Sequence, residues 1–493
     1  MGPSGPADPD LSLLSVETAE GAPLAILANF SMHYFGTGPV SADYAGVFCR
    51  RFEERLRARH PGAPFVAIFS QGTSGDLQWP DFSRPRKSIS MEDYTRGLVD
   101  LAWEAREKIE HRADVALAMA EAKLPLGRRV ADEKRLAWAR QVADGLKGRD
   151  PKGLPELYAL EQLHIAREPG RELKLQAVRV GDLGIATMPN EVFGITGLKV
   201  KARSPLRPSF VIELANGADG YIPPPEQHAL GGYTTWAART AGLEVGAEPR
   251  ILDTVLGLLE EVSGRPRRPY PEAGGAYAEA VRASRPAAYW RMDDYEGSEA
   301  RGDGRLPAGV YEGGAARALP GPEAPGFSSA GLVNRCVHFA GGRLRGAAPG
   351  TGKTYSVEAW VWNGLPERLR PVTGLVFSRG TERLGIGGTS PESPAGALFF
   401  SGGEGVLTGK TVVPLKTWCH VVLVRDGRRV EAYLDGRLEF SGESAPADGE
   451  GEFLVGGGAG DSSFEGKIDE AAVYARALSA EEVARHFNAA AGR

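Results

Sequence analysis

A chain of 493 residues is too long for one ordinary hydrophobic core and predicts at least two domains. Its 42% hydrophobic and 25% charged residues are those of a globular protein, and a net charge of −5 argues against the basic face that a nucleic-acid partner requires. No run of about 18 apolar residues occurs, so no transmembrane helix is expected, and the opening MGPSGPADPDLS lacks the basic and apolar regions of a signal peptide. The cysteines Cys49, Cys336 and Cys419 are too scattered for a disulfide framework or a thiolate zinc site. Cys336 and Cys419 fall in one domain, where they either pair or remain as buried thiols.

In chain order, Leu11–Val16 and Leu24–Met32 read as strands, the second ending at His33. Residues 43–60 read as a helix, with Tyr44, Val47, Phe48, Phe52 and Leu56 on one face, stopped by Pro61-Gly62. Phe65–Phe69 reads as a buried strand that empties into Ser70-Gln71-Gly72-Thr73-Ser74-Gly75-Asp76. From about Met91 to Ile165 the pattern is charged amphipathic helix, broken near Gly127 and Gly148-Arg149-Asp150. Two apolar runs follow, Leu183–Met188 and Ser209–Leu214, with strand length and β-branched content. The first leads into Pro189-Asn190-Glu191 and a helical pattern, the second into a Gly/Asn/Pro-rich loop holding Tyr221 and Tyr233. A last helix is expected over 249–262.

Alternation of strand and helix argues for an α/β fold with at least a partly parallel sheet. If the four strands run parallel, His33, Asp76, Glu191 and the Tyr221 loop gather at one carboxyl edge, where open α/β sheets build their sites. Residues 266–275 form a Pro/Gly/Arg linker. Beyond it, YSVEAWVW, TWCHVVLVRD, RVEAYLDG and FEGKIDEAAVY alternate between Gly/Asp turns, as in an all-β sandwich. Asp426-Gly427 and Asp435-Gly436 are hairpin signals, and a short helix over 479–488 begins with a Ser cap.

ANFSMH (28–33), SADYAG (41–46), SQGTSGD (70–76), MPNE (188–191), GYIPPPEQ (220–227) and GGY (231–233) occur in this order. Together they resemble the later catalytic half of the neutral/alkaline non-lysosomal ceramidase family, over residues 1–265. The resemblance implies a ceramidase-like α/β fold, a mixed sheet with flanking helices. It also implies a zinc-dependent hydrolase of a linear amide, ceramide or another lipid amide. His33, Glu191 and Tyr221 stand at zinc-ligand positions and Tyr233 at that of a second active-site tyrosine. Asn190 occupies a position that is glycine in the family. Gln78 occupies that of the family's proposed serine nucleophile, and an amide cannot act as one. Asp76 and Gln78 are expected to line the pocket. The family's paired-histidine strand is expected upstream of Met1, and the family is typically exported.

AAYWRMDD (287–294), CVHFAGG (336–342), YSVEAWVW (355–362), TWCHVVLVRD (417–426), AYLDGRLE (432–439) and FEGKIDEAAVYARALSAEEV (464–483) resemble a LamG-like, concanavalin-type jelly roll over 276–493. Such domains commonly bind carbohydrate or another partner and often hold calcium. The alternative function is therefore a non-catalytic carbohydrate- or partner-binding protein on a degenerate hydrolase scaffold.

Taken singly, each site residue has an ordinary reading. A histidine after a strand is a hydrogen-bonding core residue, and a glutamate opening a helix complements its dipole. Loop tyrosines cover a core edge, and an aspartate after glycine makes a turn. Two further motifs read as turns. Ala347–Thr354 lacks the first glycine of a phosphate loop and leads into a strand, and Arg301-Gly302-Asp303 is a common tripeptide.

Overall fold

The computed structural model describes residues 4–492 apart from 39, 83–84, 86–87, 169, 330, 404, 448–451 and 459–462. It divides into two compact units, Ala7–Tyr270 and a second containing Pro271–Arg493.

The first unit opens with β1 (Ser12–Glu17), β2 (Pro23–Phe30), α1 (Asp43–Arg59) and β3 (Val66–Gln71). β1 pairs antiparallel with β2, and β2 runs parallel to β3 in register Ala28↔Phe69. One face of α1 carries Tyr44, Phe48, Phe52 and Leu56, all fully buried. These pack with Leu98, Val99, Ala102 and Trp103 of α2 (Met91–Arg106), the apolar stripe that the helical period foretold.

The expected long helical span is interrupted. β4 (Leu117–Leu126) is a strand, followed by α3 (Glu133–Leu146), α4 (Leu154–Arg167) and β5 (Arg171–Val180). LAMAEAKLPL is rich in helix formers, but a continuous antiparallel ladder from Leu117↔Val180 to Leu126↔Arg171 overrides that propensity. β6 (Leu183–Thr187) runs antiparallel to β5 and parallel to β8 (Ser209–Ile212). Between them lie β7 (Glu191–Val192) and α5 (Gly194–Arg203); beyond them come β9 (Tyr221–Ile222), α6 (Gln227–Leu230) and α7 (Ala247–Ser263).

The four expected strands are thus β2, β3, β6 and β8, and they form two parallel pairs in two sheets. A side-chain bond joins the sheets where they meet: Asn29 Nδ2 of β2 donates to the Val211 carbonyl of β8 at 3.0 Å. The fold is mixed α/β. The segment after α7 turns back onto it, with Arg267 pairing with Glu260 and Asp253.

The second unit is an antiparallel β-sandwich. One eight-stranded sheet has Glu465–Tyr474 between Arg335–Ala340 and Thr354–Asn363, and continues through Trp418–Asp426, Arg429–Leu434 and Arg437–Glu443. The other contains Arg343–Ala347, Val372–Arg379, Glu382–Gly387 and Ala397–Ser401. Trp290, Val337, Phe339, Tyr355, Phe377, Phe400 and Phe453 fill the space between them. Asp435 and Gly436 both adopt positive φ (50° and 75°), as a two-residue I′ hairpin turn requires. Ala347 ends one strand and Thr354 begins the next, so the phosphate-loop look-alike is a turn. Arg301 and Asp303 are engaged by Asp293/Asp294 and Arg282. Cys336 and Cys419 are buried and free. Among the described residues no helix is long and apolar enough to cross a membrane.

Candidate functional site

Glu191 and Tyr221 face each other because β7 and β9 form a two-stranded parallel ribbon in register Glu191↔Tyr221. Gly220 precedes Tyr221 at φ 76°, and a Cβ there would lie 2.4 Å from the Thr240 carbonyl oxygen, so only glycine fits. His33 reaches the ribbon from the end of β2. Its backbone N–H donates to the Leu77 carbonyl at 3.0 Å, and the Tyr44 hydroxyl donates to the Met32 carbonyl at 3.0 Å. The turn after β3 approaches closely: Gly75 N–H donates to the Val192 carbonyl at 2.7 Å, and a Cβ on Gly75 would stand 2.8 Å from the Glu191 carbonyl oxygen.

His33 Nδ1 faces the Ser74 carbonyl at 2.5 Å, which can only accept, so Nδ1 carries the proton. Nε2 then stands 3.4 Å from both Glu191 Oε2 and the Tyr221 hydroxyl: in the neutral ring its lone pair can accept from the hydroxyl, and only the protonated ring donates to Glu191. The Tyr221 hydroxyl is in turn 3.3 Å from that of Tyr233, and the two rings meet edge to face at 5.6 Å. His33 and Tyr221 rings lie within 2° of parallel. Four residues distant in sequence therefore form one polar chain, Glu191–His33–Tyr221–Tyr233, whose outer member Tyr233 is about half exposed.

The electrostatics follow from these contacts. The Glu191 hydrogen bond raises the His33 pKa, against the opposing effect of burial. Burial would raise Glu191, but His33 and Tyr221 outweigh it and hold the carboxyl below its ordinary value. Burial, Tyr233 and Glu191 all drive the Tyr221 phenol far upward, so it is a neutral donor.

The remaining expected residues lie differently. The Asp76 carboxylate accepts the Gly194 N–H at 2.7 Å, fastening the start of α5, and burial pushes its pKa up to about 6. Gln78 is exposed, and no hydrogen bond among the described residues links it to the four-residue chain. Asn190 is fully buried, with both amide atoms unpartnered.

Sequence reasoning missed Glu213, at the exit of β8. Its carboxyl accepts Ser74 N–H at 3.1 Å, Ser74 Oγ–H at 2.5 Å and Val192 N–H at 2.8 Å. It thereby ties the turn after β3, whose Ser74 carbonyl holds His33, to the Glu191-bearing strand, and burial pushes its pKa up to about 7. An acid ending the apolar run SFVIE is a signal for such a buried post, though the run reads equally well as a strand leaving for solvent.

The donors present include an imidazole nitrogen, a carboxylate and a phenol. Among the described residues, no group of three or more His, Cys, Asp or Glu side chains is arranged to hold a metal. In the sandwich, Asp293 and Asp294 are taken up by Arg301 and Tyr311.

Residues 343–484 match the Laminin_G_3 family, described as the concanavalin A-like lectin/glucanases superfamily. The match defines the sandwich as a concanavalin-like jelly roll and does not extend over the α/β unit. No curated protein matches the chain. Among solved structures, domain 4 of an extracellular arabinanase from Geobacillus stearothermophilus, in complex with arabinotriose, is 19% identical, with a TM-score of 0.30. That alignment covers 44% of this chain and 99% of the domain. A Trypanosoma rangeli sialidase in complex with the inhibitor DANA is 16% identical at a TM-score of 0.30, covering 41% of this chain and 32% of the sialidase. A structure of botulinum neurotoxin type C, whose cell entry depends on interaction with two ganglioside molecules, is 11% identical at a TM-score of 0.31, covering 43% of this chain and 53% of that one.

Proposed function

We propose that the protein acts through its sandwich, which binds carbohydrate. The observation that supports this reading is the family match over residues 343–484, in a family described by lectins and glucanases. Full-length protein applied to a glycan array is expected to give saturable binding to one glycan class. Folded protein that binds no glycan on the array would overturn the reading.

A second activity is favoured by the convergence of His33, Glu191, Tyr221 and Tyr233: a metal-assisted hydrolase of a linear amide, ceramide or another lipid amide. Zinc ligands at bonds of about 2.0–2.1 Å stand about 3.3–3.4 Å apart around a tetrahedron. Nε2 of His33 lies 3.4 Å from both Glu191 Oε2 and the Tyr221 hydroxyl, which suits that spacing. Bound zinc would polarise an amide carbonyl and lower the pKa of a water molecule. Within the chain, the Ser74 carbonyl holds His33 with Nε2 toward the other donors, and a hydrogen-bonded second ring nitrogen is the usual support of a metal-binding histidine. The half-exposed Tyr233 hydroxyl would donate to charge developing on an amide oxygen. Asp76 positions the loop through Gly194, and Gln78 lies at its exposed rim. Elemental analysis is expected to find stoichiometric zinc in the purified protein and its loss in His33→Ala; wild-type protein that takes up no zinc would exclude this second activity. Calcium in the sandwich is tested by the same analysis.

A further inference from the structure

A cavity of about 770 Å³ opens in the α/β unit between α3, α4 and the loop that follows the Tyr233–Thr235 turn. That volume lies within the range of small-molecule sites, and the wall is mainly apolar. Trp138 of α3, Tyr158 of α4 and Trp236 supply three aromatic rings, with Tyr158 and Trp236 edge to face at 5.2 Å. Val130, Leu154 and Trp236 remain 51%, 57% and 43% exposed around it, an apolar surface that burial in the fold leaves unused.

Charge in the cavity is one-sided. Arg129 and Arg135 line it against a single carboxylate, Asp132. That carboxylate is already employed: its Oδ1 accepts the Arg135 N–H at 2.8 Å as the cap of α3. Arg135 lies over Trp138, its Cζ 4.0 Å from the ring centroid, and its Nε donates to Gln162 Oε1 at 3.2 Å. Arg129 donates to His228 Nδ1 at 2.6 Å and to the Thr235 carbonyl. Every one of these partners is neutral. Among the described residues neither guanidinium has an ion pair, unlike Arg128 next door, which is paired with Glu168. A half-buried arginine without a carboxylate is costly unless something else supplies the negative charge.

We propose that this cavity binds an amphipathic organic anion, with its apolar body against Trp138, Tyr158 and Trp236 and its acidic group between Arg129 and Arg135. The site is separate from the donors around His33, although Trp236 follows directly on the turn carrying Tyr233. The assignment therefore stands whether or not the protein hydrolyses amides.

The test uses full-length protein and two matched probe pairs, decanoate with decanol and 2-naphthoate with 2-naphthalenemethanol, followed by tryptophan fluorescence titration. At least one acid is expected to bind saturably, roughly tenfold tighter than its alcohol, as a charge-assisted hydrogen bond implies. Whichever pair responds distinguishes an alkyl from an aromatic body. Trp236→Ala is expected to weaken both members of that pair. Arg129→Gln combined with Arg135→Gln should bring acid and alcohol to similar affinity. Because Arg129 also holds the Thr235 carbonyl, Arg135→Gln alone, at an exposed position, serves as the variant that keeps the fold, and it should lower the acid preference by itself. No saturable binding by any probe, equal wild-type affinity for acid and alcohol, or an acid preference unchanged in both arginine variants would overturn the proposal.

Discussion

Glu213 keeps 3% of its surface exposed yet receives three donors from two different segments. Burial disfavours its charge, so the folded state retains a proton up to about pH 7 that an unfolded carboxyl has lost by about pH 5. In that window the folded state binds more protons than the unfolded state, and stability declines as pH rises through it. Glu213→Gln, which cannot titrate, is expected to flatten this slope, giving urea midpoints at pH 5 and pH 8 closer together than in the wild type. Conversely, a variant with the wild-type slope would show that another group sets it. The meeting of His33, Glu191, Tyr221 and Tyr233 could be anticipated from the order of short motifs. Glu213 could not, because nothing local says whether an acid at a strand exit faces water or a neighbouring loop.

At the scale of elements, amphipathic stripes and caps were readable, whereas pairing was not. The terminal helix Ala480–Ala490 has the expected Ser479 cap, completed by Glu482 into a reciprocal capping box. Ser479→Ala is expected to cost about 1 kcal/mol of sandwich stability, measured by denaturant unfolding. β4 shows the opposite case. Its alanines, leucines, lysine and glutamate favour a helix, and only the distant partner β5 makes it a strand. The sandwich strands depend on a similar non-local fit. Trp290 is fully buried, and a Cβ at Gly346 would come 2.2 Å from its ring. Gly346→Ala is therefore expected to destabilise by about 1–3 kcal/mol or more, through overpacking that the same unfolding assay detects.

For the molecule as a whole, the change from α/β alternation to short β-runs near residue 270 was legible because strand period and turn chemistry are local. The separation of β2–β3 from β6–β8 into two sheets was not, since four apolar strands carry no label for their neighbours. The sandwich adds a polar knot that its sequence does not announce. Glu358 is buried with His420 Nε2 at 2.9 Å and His486 Nδ1 at 3.0 Å, and Tyr277 donates to it at 3.3 Å. Burial opposes its ionisation, but the two histidines prevail and hold its carboxyl far below the ordinary range. Its contribution is present above about pH 4.5 and disappears as pH falls from there. Glu358→Gln is expected to destabilise at pH 7 by about 1–3 kcal/mol, because buried hydrogen-bond donors lose part of their acceptor. It should also blunt the acid-induced loss of stability, seen by following unfolding from pH 7 to pH 3.

The strand Glu465–Tyr474 lies in the interior of its sheet, hydrogen-bonded to Arg335–Ala340 on one side and Thr354–Asn363 on the other, and also to Ala288–Trp290. A nascent chain on the ribosome therefore holds some two hundred residues of sandwich with two raw β-edges and a missing middle until this segment emerges. Premature stops inside the sandwich but before this segment should leave that domain unable to close its sheet and should yield products that are cleared by proteases.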